Sequence, residues 1–138
     1  MNNIALPFDA ESQAWVHAAG RGIDWLRTRL ADDGRLFDFP ADLGAVYKWP
    51  LALAVAGHAQ LGRRMLEALV ADFQTDGGDL RTGADKSSDP LYGQIADTYT
   101  NTWPLVAARV FEFEDLGSTG LDELRRRHVP ATGGYLTG

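Results

Sequence analysis

Apolar residues recur at three- and four-residue steps in three stretches of the chain. In the first, ESQAWVHAAGRGIDWLRTRLA, the residues Trp15, Ala18, Ala19, Gly22, Ile23, Leu26 and Leu30 share one side, and Arg21, Asp24, Arg27 and Arg29 take the other. That spacing predicts an amphipathic helix with one buried stripe. The second, QLGRRMLEALVADF, sets Leu61, Met65, Leu66, Leu69, Val70 and Phe73 against Arg63, Arg64, Glu67 and Asp72. The third, GLDELRRRHV, is short, and its run Arg125-Arg126-Arg127 reads as a wet helix face. Between these lie two segments of another kind. Residues 51–56 are apolar on every side, and WPLVAARVF is mostly so, which predicts buried helices. The order is amphipathic, buried, amphipathic, buried, amphipathic.

Glycine turns ending in leucine separate the segments: DGRL at 33–36, DGGDL at 76–80 and TGGYL at 132–136. The two buried segments share a tripeptide, Trp49-Pro50-Leu51 and Trp103-Pro104-Leu105. The interval from Gly77 to Gly133 exceeds that from Gly34 to Gly77 by about the length of the loop at 82–93. The pattern predicts an all-α domain of antiparallel helix pairs, with units near residues 12–36, 42–80 and 89–136. Proline interrupts a helix and restrains its neighbour. Each inner helix is therefore expected either to start at its Trp-Pro pair or, as the favoured reading, to start near Asp42 or Asp97 and bend at its proline. Asp89-Pro90 reads as a cap followed by a first-turn proline.

Composition narrows the function. A chain of 138 residues with 45% apolar and 23% charged residues is a globular domain. Its net charge of −6 argues against nucleic acid and anionic membranes as partners. With no cysteine there is neither a disulfide nor a thiolate metal site. The N-terminus lacks the basic and apolar regions of a signal peptide, and no apolar run is long enough to span a membrane. A cytoplasmic protein is expected.

The polar residues near the inner helices are the candidates for chemistry. Asp42 and Asp97 precede the two Trp-Pro pairs by seven and six residues. They read either as helix caps or as a carboxylate pair working as general acid and base. Tyr47, Lys48 and Trp49 are matched by Tyr99, Asn101 and Trp103. Lys48, partly desolvated there, is expected to have a lowered pKa suited to base work, or else to snorkel at a helix end. His58 ends the first buried segment, where the helix dipole favours it, and it is a further candidate lining residue. No histidine pair has metal-ligand spacing. Asp76, Asp79 and Arg81 read as a solvated turn. No Gly-x-Ser-x-Gly elbow is present.

Alternating inner and outer helices joined by FQTDGGDL and TGGYLTG resemble the α/α-toroid superfamily of terpenoid cyclases, protein prenyltransferases and sugar-processing barrels. The resemblance covers about residues 12–138. It implies a partial or assembled toroid, completed by a second copy or a partner chain, around an aromatic-lined cavity. The implied function is acid–base cyclisation, isomerisation or elimination of a small molecule without a cofactor. Asp42, Lys48, Asp97 and Tyr99 would carry protons there. Tyr47, Trp49, His58, Asn101 and Trp103 would line the cavity. Two other functions fit the same pattern: a non-catalytic helical scaffold that docks another chain, and a carbohydrate-processing barrel with a carboxylate pair.

Overall fold

A computed structural model describes residues 9–37, 42–81 and 98–135, and they form an all-α architecture. The elements are α1 (Ala10–Arg27), α2 (Leu43–Val46), α3 (Trp49–Val55), α4 (Ala59–Phe73), α5 (Tyr99–Val110) and α6 (Glu114–Arg127). A two-residue strand pair follows, β1 (His128–Val129) with β2 (Gly134–Tyr135). No helix among the described residues is long and apolar enough to cross a membrane. The loop expected at 82–93, the Asp89-Pro90 cap and Asp97 lie outside the described residues.

The helix starts follow local chemistry. Asp9 caps α1, accepting from the Ser12 amide at 2.7 Å. Asp42 caps α2, accepting from the Gly44 amide at 2.8 Å. The two Trp-Pro pairs then behave differently. After α2 the helix breaks at Tyr47 and Lys48 and restarts as α3, with Pro50 in its first turn, where no backbone donor is needed. In the second pair Pro104 stays inside a continuous α5. The expected bend is thus a break in one copy and an uninterrupted helix in the other.

Three clusters make the core. Ile23 and Leu26 of α1 pack on Leu53 and Met65. Leu66 packs with Ala107, Ala108, Phe111 and Leu116. Leu43, Tyr47, Leu69, Phe73 and Leu80 form the third, with Trp103 against its edge.

Two expectations about burial fail here. The α1 stripe is covered only at its last turns, where Leu53 and Met65 reach it, so Trp15 is 69% and Val16 59% exposed. Nor is α3 enclosed. Leu53 is buried, but Val55 is 84% exposed, because α1, α4 and α5 cover the other sides of α3 and leave this one open among the described residues. The same side of α5 leaves Val106 and Val110 exposed.

The first two glycine turns share one backbone pattern, 44 positions apart. In the first, Ala31 donates to Arg35, Gly34 to Ala31 and Phe37 to Arg29; in the second, Thr75 donates to Asp79, Gly78 to Thr75 and Arg81 to Phe73. Gly34 (φ 90°) and Gly78 (φ 86°) sit in the left-handed region. A Cβ on Gly34 would collide with the Arg64 carbonyl of α4, and one on Gly78 with the Thr119 carbonyl of α6. Each turn therefore docks on the backbone of a later amphipathic helix, α4 or α6. The ends of α3 and α5 match in the same way, 55 positions apart. Ala56, Gly57 and His58 donate to Ala52, Ala54 and Leu53, as Phe111, Glu112 and Phe113 donate to Ala107, Arg109 and Ala108.

Candidate functional site

The break between α2 and α3 leaves Tyr47 and Lys48 outside both helices, facing the start of α5. Tyr47 is buried in the core, which anchors its ring. Tyr99 opens α5, and Trp103 lies one turn later on the same face. The Lys48 ammonium stands 5.3 Å from the Tyr47 ring centre, 5.3 Å from Tyr99 and 5.5 Å from Trp103. The rings meet edge to face, Tyr47 and Tyr99 at 5.9 Å and Tyr99 and Trp103 at 6.3 Å. Two segments far apart in sequence thus close around one cation.

This surrounding reverses the expectation for Lys48. Hydrogen bonding to Tyr99, and then to Tyr47, outweighs desolvation and raises the lysine pKa above its usual value. The shift favours the ammonium form of Lys48. Tyr99 moves the opposite way. Its hydrogen bond with Lys48, followed by one with Trp103, lowers the phenol pKa against the smaller effect of desolvation. Tyr99 is 38% exposed, so its phenol is open to solvent beside the ammonium.

The other candidate residues are not part of this group. The Asp42 side chain is engaged as a cap, and it lines a separate cavity of about 460 Å³ together with Arg35 and Asp72. The Trp49 indole donates to the Ala45 carbonyl at 2.9 Å and packs against the α1 cluster. His58 begins α4, beyond the far end of the seven-residue α3, and so about 10 Å or more along the axis from Lys48. Asp97 lies outside the described residues.

Asn101 is 2% exposed and belongs to a buried polar network that the sequence reading missed. Its Oδ1 accepts from the Leu80 amide at 2.8 Å, and its Nδ2 donates to Asp79 Oδ1 at 2.7 Å. Asp79 Oδ2 accepts from Arg81 Nε at 2.6 Å and Arg127 Nη2 at 3.3 Å. Arg127 in turn pairs with Glu123 at 2.6 Å. Two readings are corrected here. Asp79 is not part of a solvated turn, because the second glycine turn is pinned beneath α5 and α6. Arg127, with 14% of its side chain exposed, is turned inward while Arg125 and Arg126 remain wet. The available clue was an amide, Asn101, two residues before the apolar run that begins at Trp103.

Among the described residues no group of three or more histidine, aspartate or glutamate side chains is placed to hold a metal ion. The aromatic site can instead move a proton: a phenol made more acidic, a cation to hold the resulting phenolate, and two flanking rings to position a planar molecule. Neither family models, curated proteins nor solved structures yield a match to this chain.

Proposed function

We propose that the chain is an acid–base enzyme, or part of one, acting on a small enolisable molecule. One observation carries the reading: the Lys48 ammonium lies within 5.5 Å of three aromatic ring centres, one of them that of the partly exposed Tyr99. In this reading Tyr99 passes its proton to a substrate oxygen or carbon, and Lys48 stabilises the phenolate left behind. The phenolate then recovers a proton from a neighbouring substrate carbon, which gives an isomerisation, or an elimination when a leaving group departs. Tyr47 and Trp103 form the walls. Asp42 is a structural cap in this scheme, and the paired-carboxylate chemistry is set aside.

The helix pairs α3/α4 and α5/α6 are read as units of a toroid-like repeat. The matched turns and helix ends support that reading. So do Val55, Val106 and Val110, which give the inner helices an apolar side fit to line a cavity.

The test is hydrogen–deuterium exchange. A panel of enolisable ketones and keto acids is incubated with the protein in D₂O and followed by proton NMR. The wild type is expected to exchange the acidic C–H of at least one class. Tyr99→Phe and Lys48→Met are expected to slow that exchange about 100-fold, the low end of general acid–base contributions. No exchange across the panel, or an unchanged Tyr99→Phe rate, refutes the reading.

A further inference from the structure

We propose that Asn101 is a positioning residue for the Lys48 site: from the buried side of α5 it fixes the roll of the helix so that Tyr99 and Trp103 meet the ammonium. The proposal rests on the reading of Lys48 and Tyr99 as the reacting pair, and adds the device that holds them together.

Capping does not locate the first turn of α5, because Thr98 at its start makes no side-chain bond to the free amides. Asn101 does so instead. It lies two residues after Tyr99 and two before Trp103. Two residues turn an α-helix by about 200°, so both rings leave the helix nearly opposite Asn101 and within about 40° of each other. Burial follows the same division, with Asn101 2% and Tyr99 38% exposed. One side of the helix is tied down, and the other faces Lys48.

The tie needs an amide. Asn101 Oδ1 accepts from the Leu80 amide at 2.8 Å, and Nδ2 donates to Asp79 at 2.7 Å. A side-chain amide supplies an acceptor and a donor at once. Aspartate would set a second carboxylate against Asp79, and leucine would leave the Leu80 amide without its partner.

The turn that Asn101 grips is itself anchored. The Arg81 amide donates to the Phe73 carbonyl, at the end of α4, at 2.8 Å, and Arg127 of α6 reaches Asp79 at 3.3 Å. Leu80 then carries the restraint to the site. Its side chain is buried in one cluster with Tyr47, and Trp103 packs against that cluster. Leu80 thus holds α5 through its amide and supports two of the three rings through its side chain. The sequence places Asn101 among the residues lining a cavity; in the structure it stands behind them.

The test reads the geometry of the site directly. The chain has two lysines, Lys48 and Lys86, so the Lys48 ε-methylene is assigned in an NMR spectrum by its loss in Lys48→Met. In the wild type the three rings should move that signal upfield of an ordinary lysine. Asn101→Ala should return it to the ordinary position. In an ultraviolet titration, Tyr99 should then ionise with the other three tyrosines rather than ahead of them. For any ketone that exchanges deuterium, kcat should fall about 100-fold, as for an ångström of misplacement, with KM unchanged. Leu116→Ala is the control: Leu116 is fully buried in a different cluster, so its loss should weaken the fold and leave the lysine and tyrosine signals in place. Asn101→Ser, which keeps a small polar side chain, repeats the test if the alanine variant does not fold. A wild-type lysine signal at the ordinary position, unchanged signals in a folded Asn101 variant, signals lost equally in Leu116→Ala, or failure of both Asn101 variants to fold overturns the proposal. No exchange across the ketone panel refutes the proposed chemistry alone, since the lysine signal reports where the rings stand.

Discussion

The first two glycine turns have the same backbone and opposite chemistry. Residues 35 and 79 occupy one position in the shared hydrogen-bond pattern. Arg35 is half-exposed and pairs with Asp72 and Asp33 at the surface. Asp79 is 2% exposed and accepts from Asn101, Arg81 and Arg127. The backbone pattern accommodates either charge. What differs is water, and with it the energy: a surface ion pair contributes about 0–1 kcal/mol, whereas removing one partner of a buried one is destabilising by about 3–5 kcal/mol.

The largest effect is expected where that difference is broken. Asp79→Ala removes the buried carboxylate that Arg81 and the Asn101 amide bond, and one of the two that Arg127 pairs with, and should destabilise the fold by about 3–5 kcal/mol. Urea unfolding followed by circular dichroism measures it. Arg35→Ala, at the matched position, should lose less than about 1 kcal/mol. Equal losses at the two positions would mean that burial does not set the energetics of these turns.

The glycines test the part that the turns share. Gly34→Ala and Gly78→Ala each place a Cβ against a backbone carbonyl at positive φ. The left-handed conformation alone costs alanine about 1–2 kcal/mol. With the collision added, both variants should lose about 2–3 kcal/mol, within the range for strained backbone positions. Their losses should be alike despite the different neighbouring charges. A tolerated alanine in either turn would show that the turn does not dock on α4 or α6 as described.

Glu123 sharpens the comparison through pH. Burial raises its pKa, but hydrogen bonds from Arg127 and Arg126 outweigh this, and the net shift is below the usual 4.5. A lowered acid contributes stability above its unfolded value and loses it as pH falls through the folded one. Stability of the wild type should therefore fall on acidification below about pH 4.5, the ordinary glutamate range. Glu123→Gln should reduce that slope and lose about 1 kcal/mol at neutral pH, the size of a single charge-assisted contact. Midpoints measured between pH 3 and pH 7 decide it.

Much of this architecture could be read from residue spacing, and the failures have a common cause. In the α4 stripe Met65, Leu66, Leu69 and Phe73 are buried as expected and Leu61 and Val70 half-buried, because α1, α3 and α5 pack on that face. The α1 stripe has the same periodicity and stays mostly exposed. Periodicity says which side of a helix is apolar, not whether anything covers it. At the site, Tyr47, Lys48, Tyr99 and Trp103 were picked out by their place beside the Trp-Pro pairs, and the structure gathers them. Trp49 and Asn101 came from the same pattern and point elsewhere. The direction in which each side chain leaves the backbone depends on where the helix breaks, and the two Trp-Pro pairs differ in that. Turn glycines and an arginine run normally indicate solvent, so the spacing alone does not reveal the burial of Asp79 and Arg127. Only the contact between units, 48 residues apart in sequence, buries them.

The smallest expected effect lies at the aromatic site, where the groups are exposed and stability is a poor reporter. Ionisation is a better one. Lys48 and Tyr99 shift in opposite directions, the amine up from 10.5 and the phenol down from 10.0. A raised lysine contributes stability below its unfolded value and loses it as pH rises through the folded one. A lowered phenol contributes above its own folded value. The phenolate–ammonium pair is therefore favoured in a window around pH 10. Ultraviolet titration at 295 nm should show one of the four tyrosines ionising ahead of the others. Tyr99→Phe should remove that early step, and Lys48→Met should merge it with the rest. If the early step survives Lys48→Met, the cation does not set the acidity of Tyr99, and the aromatic group differs from the buried Asp79 network in lacking any functional electrostatic coupling.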